Sequence, residues 1–274
     1  MNLLLVCRIG ATGRGHRIRR LAQQRRPRHA VVPSPGCYRC TGPASPLTTL
    51  KSPDPPVTHA DHCLTEAVRA LLDPGEVVYL HGLESSPQGA RGSWIRERLG
   101  GMGVDLDTSV ARQVLGTARS EGATLEPGGA DLERAFAVPM ERARERLSQA
   151  PKPQLLVGSS FGGAVLLKLM DEGSWRGPAL FLAGAGAALT PIRSLPAGSR
   201  AMLIHCAEDE TVPVQGSRSL AGTGGAQVHL LEVSEGAEPH RLPGIAGSGV
   251  LAAAIAWLLE PLALQRPGRV KRFD

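Results

Sequence analysis

The chain has 274 residues, 42% of them apolar, 20% charged and only 3% aromatic, with a formal net charge of +6. That is enough apolar material for a buried core in one large or two small domains. No apolar run reaches the length of a bilayer span, which argues for a soluble protein with no membrane partner. The positive charge is local: residues 1–60 hold ten Lys/Arg and one acid, whereas the remainder holds 21 basic and 24 acidic residues, so the body carries no basic surplus to attract nucleic acid.

Residues 1–60 are rich in Arg, Pro and Gly and show neither helical nor strand periodicity. Such a stretch buries too little apolar surface to offset its ordering entropy, so a disordered basic leader is expected. The favoured reading is a dispensable leader, or sequence upstream of the true start. A basic arm touching nucleic acid and a transit peptide are the alternatives, weakened by the lack of stacking aromatics and by the prolines respectively. Cys7, Cys37, Cys40, Cys63 and Cys206 are too few and too scattered for a disulfide framework. The Cys37–Cys40 spacing is half of a zinc site with no second half, so no metal is expected. Arg8 interrupts the apolar start too early for a secretory signal, and a cytoplasmic location follows as the default.

Residues 61–262 form the expected folded domain, and 263–274 a loose polar tail. "HCLTEAVRALLD" reads as a short leading helix. "EVVYLHG" (76–82) is a strand stopped by glycine, "PQGARGSWIRERLGG" a helix, "GVDLDT" a strand and "DLERAFAVPMERARERLSQ" a charged amphipathic helix. Then come "PQLLVGSS" (strand), "GGAVLLKLMDEG" (helix), "PALFLAGAG" (strand), "RAMLIHCAED" (strand), "VPVQGSRSLAG" (short helix), "AQVHLLEVSEG" (strand) and "SGVLAAAIAWLLEPLAL" (closing helix). Strands alternating with helices predict an α/β fold: a mainly parallel sheet flanked by helices on both faces. Continuously apolar strands agree, because parallel strands are covered on both sides.

The segment "LLVGSSFGGAVLLKL" places a G-x-S-x-G pentad between a strand and a helix with only a few residues to turn. The central residue, Ser160, is the expected nucleophile; Ser159 is off-centre. Gly158 and Gly162 supply the small neighbours that a close strand–helix passage needs. A serine hydroxyl needs a base and an orienting acid. Of the histidines after Ser160, His205 and His229 fall inside predicted strands and read as packed core residues. His240, in the loop after "VHLLEV", reads as the base. The acid should follow the preceding strand, where Glu208, Asp209 and Glu210 cluster and spacing alone does not choose; the short carboxylate of Asp209 would suit the histidine. Backbone N–H groups of Phe161 and Leu83 are the candidate oxyanion donors, and His81 reads as a structural residue at the mouth of that loop.

"YLHGLESSPQGAR", "VGSSFGGAVLLKL", "IHCAEDETVP" and "GAEPHRL", in that order, resemble the α/β-hydrolase superfamily, and in detail the small bacterial serine esterases with an LHGxxSSP signature on the first strand. The resemblance spans roughly residues 75–262 and departs at Cys206, where glycine is common, and at Pro239, where an acid is usual. It implies that Asp209 is the acid and His240 the base. It also implies a small-molecule ester or thioester as substrate, cleaved through an acyl-serine, with no cofactor. A peptidase or acyltransferase using the same triad is an alternative, as is a non-catalytic hydrolase-fold binding protein with a basic arm. Only "AALTPIRSLPAGS" separates two strands where larger relatives insert a cap, so a minimal fold without a cap domain and with an open, shallow cleft is expected.

Overall fold

The computed structural model describes residues 59–234, 238–245, 247, 249–266 and 269. The basic leader before residue 59, its Cys37–Cys40 pair and most of the expected tail lie outside the described residues. Six strands form one sheet: β1 (Val77–Leu80), β2 (Met102–Val104), β3 (Leu155–Ser159), β4 (Ala179–Leu182), β5 (Ala201–Cys206) and β6 (Val228–Val233). Every neighbouring pair is parallel, in the order β2-β1-β3-β4-β5-β6. The helices are α1 (His59–Leu71), α2 (Ala90–Leu99), α3 (Ser109–Glu121), α4 (Ala130–Ser148), α5 (Phe161–Asp171), α6 (Gly186–Leu189), α7 (Gln215–Thr223), α8 (Val250–Leu258) and α9 (Glu260–Gln265).

The strand period of two divides the core in half. Val78, Leu80 and Leu156 point to one face, against Val114 of α3, Phe136 and Met140 of α4 and Leu166 of α5. Val77, Tyr79, Leu155 and Val157 point to the other, against Val68 of α1, Ile95 of α2 and Leu251 and Ile255 of α8. Both sets are buried, which is why these strands read as unbroken apolar runs.

Several elements differ from expectation. The strand expected over "GVDLDT" ends at Val104; Leu106 is still buried, but Asp105 and Asp107 lie in the loop beyond. Helix α3 was not foreseen, because its buried positions, Ala111, Val114 and Ala118, give only a thin apolar stripe. The closing helix is broken at Leu259, where Pro261 removes a helical N–H two residues later. Arg200 donates to the carbonyls of Trp257 and Leu258 that the break exposes. Between β4 and β5 the only regular element is the four-residue α6, so no cap domain is inserted there. Among the described residues, no single helix is long and apolar enough to cross a membrane.

Candidate active site

The order of the sheet reverses at β1, whose neighbours are β2 on one side and β3 on the other. In open parallel sheets the crevice at such a switch, beyond the carboxyl ends of the strands, is the usual ligand site. Gly82 lies two residues beyond the end of β1, and Ser160 directly follows β3.

The chain passes from β3 to α5 through one strained residue. Ser160 has φ 51° and ψ −116°, a conformation that costs about 1–3 kcal/mol for a residue with a side chain. Its surroundings hold it there: the Ser160 N–H donates to the Leu182 carbonyl (2.9 Å), and its own carbonyl accepts from Gly163 (2.9 Å) and Ala185 (3.0 Å). The flanking glycines are required by contact. A Cβ on Gly162 would lie 2.1 Å from the Leu80 carbonyl oxygen, and one on Gly158 would lie 2.6 Å from that of Gly162.

The histidine arrives from a distant loop. Pro239 opens a 3-10 turn, Pro239–Arg241, that carries His240, and the buried Leu242 and Ile245 root the loop in the core. His240 Nε2 lies 2.9 Å from Ser160 Oγ, and its Nδ1 lies 2.8 Å from Asp209 Oδ2. Because a carboxylate only accepts, Nδ1 carries the proton and Nε2 is left to accept from the serine hydroxyl. The Asp209 side chain is 0% exposed, that of His240 22%. Asp209 Oδ1 takes two backbone N–H groups, from Thr211 and Val212, both at 2.9 Å.

The neighbouring acids are disposed of differently. Glu208 accepts from the Cys206 thiol (3.0 Å) and from Ser234 (3.3 Å), and these bonds, the thiol's first, hold its carboxyl below the usual range. Glu210 is exposed. Cys206 and Pro239, the two departures noted in the sequence, leave the Ser160–His240–Asp209 contacts intact.

The loop after β1 is pinned from above. The Leu106 N–H donates to His81 Nε2 (3.2 Å), which leaves Nδ1 as the protonated nitrogen, and Nδ1 donates to the Gly82 carbonyl (2.8 Å). A trans peptide directs its N–H opposite to its carbonyl, so the Leu83 N–H points away from the His81 ring. Thr108 Oγ1 donates to the Leu83 carbonyl (2.9 Å) and fixes the next peptide. Phe161 opens α5, where the first N–H groups have no helical acceptor, and its ring stacks on Phe136 at 5.0 Å. Beside this loop lies a polar cavity of about 500 Å³ whose lining includes His81, Ser85, Asp105, Arg112 and Arg142.

Two features escaped the sequence reading. Arg91 of α2 donates to Ser159 Oγ with one nitrogen and to the Arg241 carbonyl with another, tying the end of β3 to the His240 loop. Burial pushes the nearby Tyr79 phenol up, against the pull of Arg91. The place of Arg91 in "QGAR" carries no spacing signal that would have found this. His229 also differs: it is exposed on the edge strand β6, packed edge-on against Trp257 at 4.7 Å, and is not a core residue. His205 is fully buried, as its strand position suggested. Among the described residues, no cluster of His, Cys, Asp and Glu could hold a metal ion.

No protein-family profile and no curated protein sequence matches this chain. Solved structures do. An alpha/beta-superfamily protein from Xanthomonas campestris pv. campestris is 24% identical, covering 68% of this chain and 99% of its own, with a TM-score of 0.48. Alpha/beta hydrolase domain-containing protein 10 from mouse is 17% identical over 70% of this chain and 91% of its own, TM-score 0.49. Dienelactone hydrolase from Anabaena variabilis is 16% identical over 68% and 86%, TM-score 0.47. The structural neighbours of this chain are thus members of the alpha/beta hydrolase superfamily.

Proposed function

We propose that this protein is a serine hydrolase that cleaves small carboxylic esters or thioesters through an acyl-serine intermediate. The observation that carries the reading is the unbroken relay Ser160 Oγ–His240 Nε2, His240 Nδ1–Asp209 Oδ2, at 2.9 and 2.8 Å. Ser160 Oγ bonds to the substrate carbonyl carbon as its proton passes to His240 Nε2. The resulting imidazolium is held by Asp209. The tetrahedral oxyanion is met by the N–H groups of Leu83 and Phe161, a contribution typically worth about 10²–10³ in turnover per donor. Collapse breaks the bond to the leaving alcohol or thiol, which departs with the proton from His240. Water then repeats the sequence and frees the acid.

The absence of an inserted cap between β4 and β5 favours small or flexible acyl groups. The test is labelling by a fluorophosphonate probe, together with turnover of nitrophenyl esters and acyl-CoA thioesters of rising chain length. Labelling of the wild type that is lost in Ser160→Ala supports the reading; labelling that persists in that variant rejects it.

A further inference from the structure

We propose that His205 is a positioning residue of this site: its Nε2–H holds the Asp209 carboxylate in the orientation that His240 needs. The inference rests on the serine-hydrolase reading for its functional consequence, but its geometry stands independently.

His205 projects from β5 four residues before Asp209 and is 0% exposed. All its polar contacts are internal. Nε2 lies 2.8 Å from the Val212 carbonyl oxygen and 3.2 Å from Asp209 Oδ2; Nδ1 lies 2.7 Å from Ser217 Oγ. A carbonyl and a carboxylate can only accept, so Nε2 must carry the proton, donated to the Val212 carbonyl with Asp209 Oδ2 at its flank. Nδ1 is then an acceptor, and the Ser217 hydroxyl donates to it, so α7 fixes the tautomer from behind. Burial drives the ring toward its neutral form, against the weaker pulls of Val212 and Asp209, which suits a donor of one hydrogen bond.

Asp209 therefore accepts from three N–H groups, Thr211 and Val212 on Oδ1 and His240 on Oδ2, and His205 Nε2 stands 3.2 Å from that second oxygen. The two backbone donors fix one oxygen, and the other is held by His240. His205 Nε2 is the second nitrogen beside that oxygen, and its buried ring limits how far the carboxylate can turn away from His240. A misplacement of the acid tilts the His240 ring, and displacements of about 1 Å in such constellations cost about a hundredfold in rate. Val212 takes part twice, since its N–H binds Oδ1 and its carbonyl accepts from His205 Nε2, which makes the Asp209–Val212 turn and the imidazole one unit.

The experiment compares His205→Leu, His205→Gln and Ser217→Ala with the wild type. A glutamine amide can place a donor where Nε2 stood. Expected results are a fall in kcat of about ten- to a hundredfold in His205→Leu with KM unchanged, recovery to within about threefold in His205→Gln, and an intermediate loss in Ser217→Ala. Equal losses in Leu and Gln, or a loss confined to KM, overturn the proposal. So does full activity in both His205→Leu and Ser217→Ala. Should His205→Leu not fold, the other two variants carry the comparison. The far-downfield Nδ1 proton resonance of His240 provides a readout without turnover. It should be present in the wild type and His205→Gln and broadened or lost in Ser217→Ala, and an unchanged resonance in Ser217→Ala counts against His205 even for a protein that hydrolyses no ester. Failure of the wild type to label with fluorophosphonate sinks the hydrolase reading alone.

Discussion

Gly82 and Ser160 meet at the switch point of the sheet: a methyl group placed on Gly82 would sit 3.3 Å from Cβ of Ser160 and 3.9 Å from its Oγ. That contact brings the loop after β1 against the hydroxyl at the end of β3. It is tight enough to require a shift of a few tenths of an ångström and loose enough to survive one. Gly82→Ala should therefore fold with a melting temperature close to that of the wild type while losing about ten- to a hundredfold in kcat. Gly162→Ala, with its methyl 2.1 Å from the Leu80 carbonyl oxygen, should not yield folded protein at all. Thermal melts and steady-state rates on the same preparations separate the two outcomes.

The relay through His240 predicts unequal but large losses when its ends are cut. Asp209→Asn presents an amide where a carboxylate accepted from Nδ1, and should lower kcat by about 10⁴-fold, as expected when the imidazole is held in the wrong tautomer. A fall of less than about tenfold would place the acid elsewhere. The nearby Glu208→Gln, whose carboxylate faces Cys206 and Ser234, should leave kcat nearly unchanged.

His205 also makes stability depend on pH. Burial lowers its proton affinity below the ordinary value of 6.5, against the opposing pulls of Val212 and Asp209 and in concert with His240. Below that value the unfolded chain binds a proton that the folded one refuses, so stability is full above about pH 6.5 and falls as the pH drops. Denaturant titrations between pH 5 and 7 should show this decline in the wild type and a shallower one in His205→Gln.

Arg91 spans Ser159 and the carbonyl of Arg241, and through them the two loops that carry Ser160 and His240. Replacing it with methionine keeps much of its apolar stem while removing both donors. Arg91→Met should lower kcat/KM by about tenfold with a small change in melting temperature, because the His240 loop keeps its anchors at Leu242 and Ile245. Unchanged kinetics would assign Arg91 to stability alone.

At the other end of the sheet, Arg266 grips the Glu76 carboxylate with two nitrogens, each at 2.9 Å, and donates to the Leu71 carbonyl, also at 2.9 Å. Burial raises the Glu76 carboxyl, but the bonds from Arg266 and the Asp73 N–H more than offset it, and the net shift is downward. Arg266→Met leaves a nearly buried carboxylate without its partner and should cost about 2 kcal/mol, a discounted figure because the guanidinium is partly in water. Chemical denaturation would measure it, with activity unaffected.

How much of this was legible beforehand varies by element. Strands β1, β3, β4 and β5 were readable because burial on both faces turns them into apolar runs, and α4 because its charges and apolar residues alternate at helical spacing. Helix α3 was not: Ala111, Val114 and Ala118 bury too little to stand out, and no side chain caps its start at Thr108. His229 was misjudged because its strand looked like the others, and only the pairing order places β6 at the edge of the sheet.

The sequence by itself determined the parallel sheet and the sharp turn at Ser160, and it singled out Ser160 over Ser159, and His240 after the last strand, as candidates. Those are local matters, set by periodicity and by the space that Gly158 and Gly162 leave within a few residues. Spacing left three adjacent acids open and only the resemblance pointed to Asp209; that Asp209 lies against His240, that His205 sits beside it and that Arg91 joins two loops were decided by tertiary structure. Strand register and helix packing bring together groups that lie 31, 80 and 150 residues apart, and no local pattern encodes a distance of that kind.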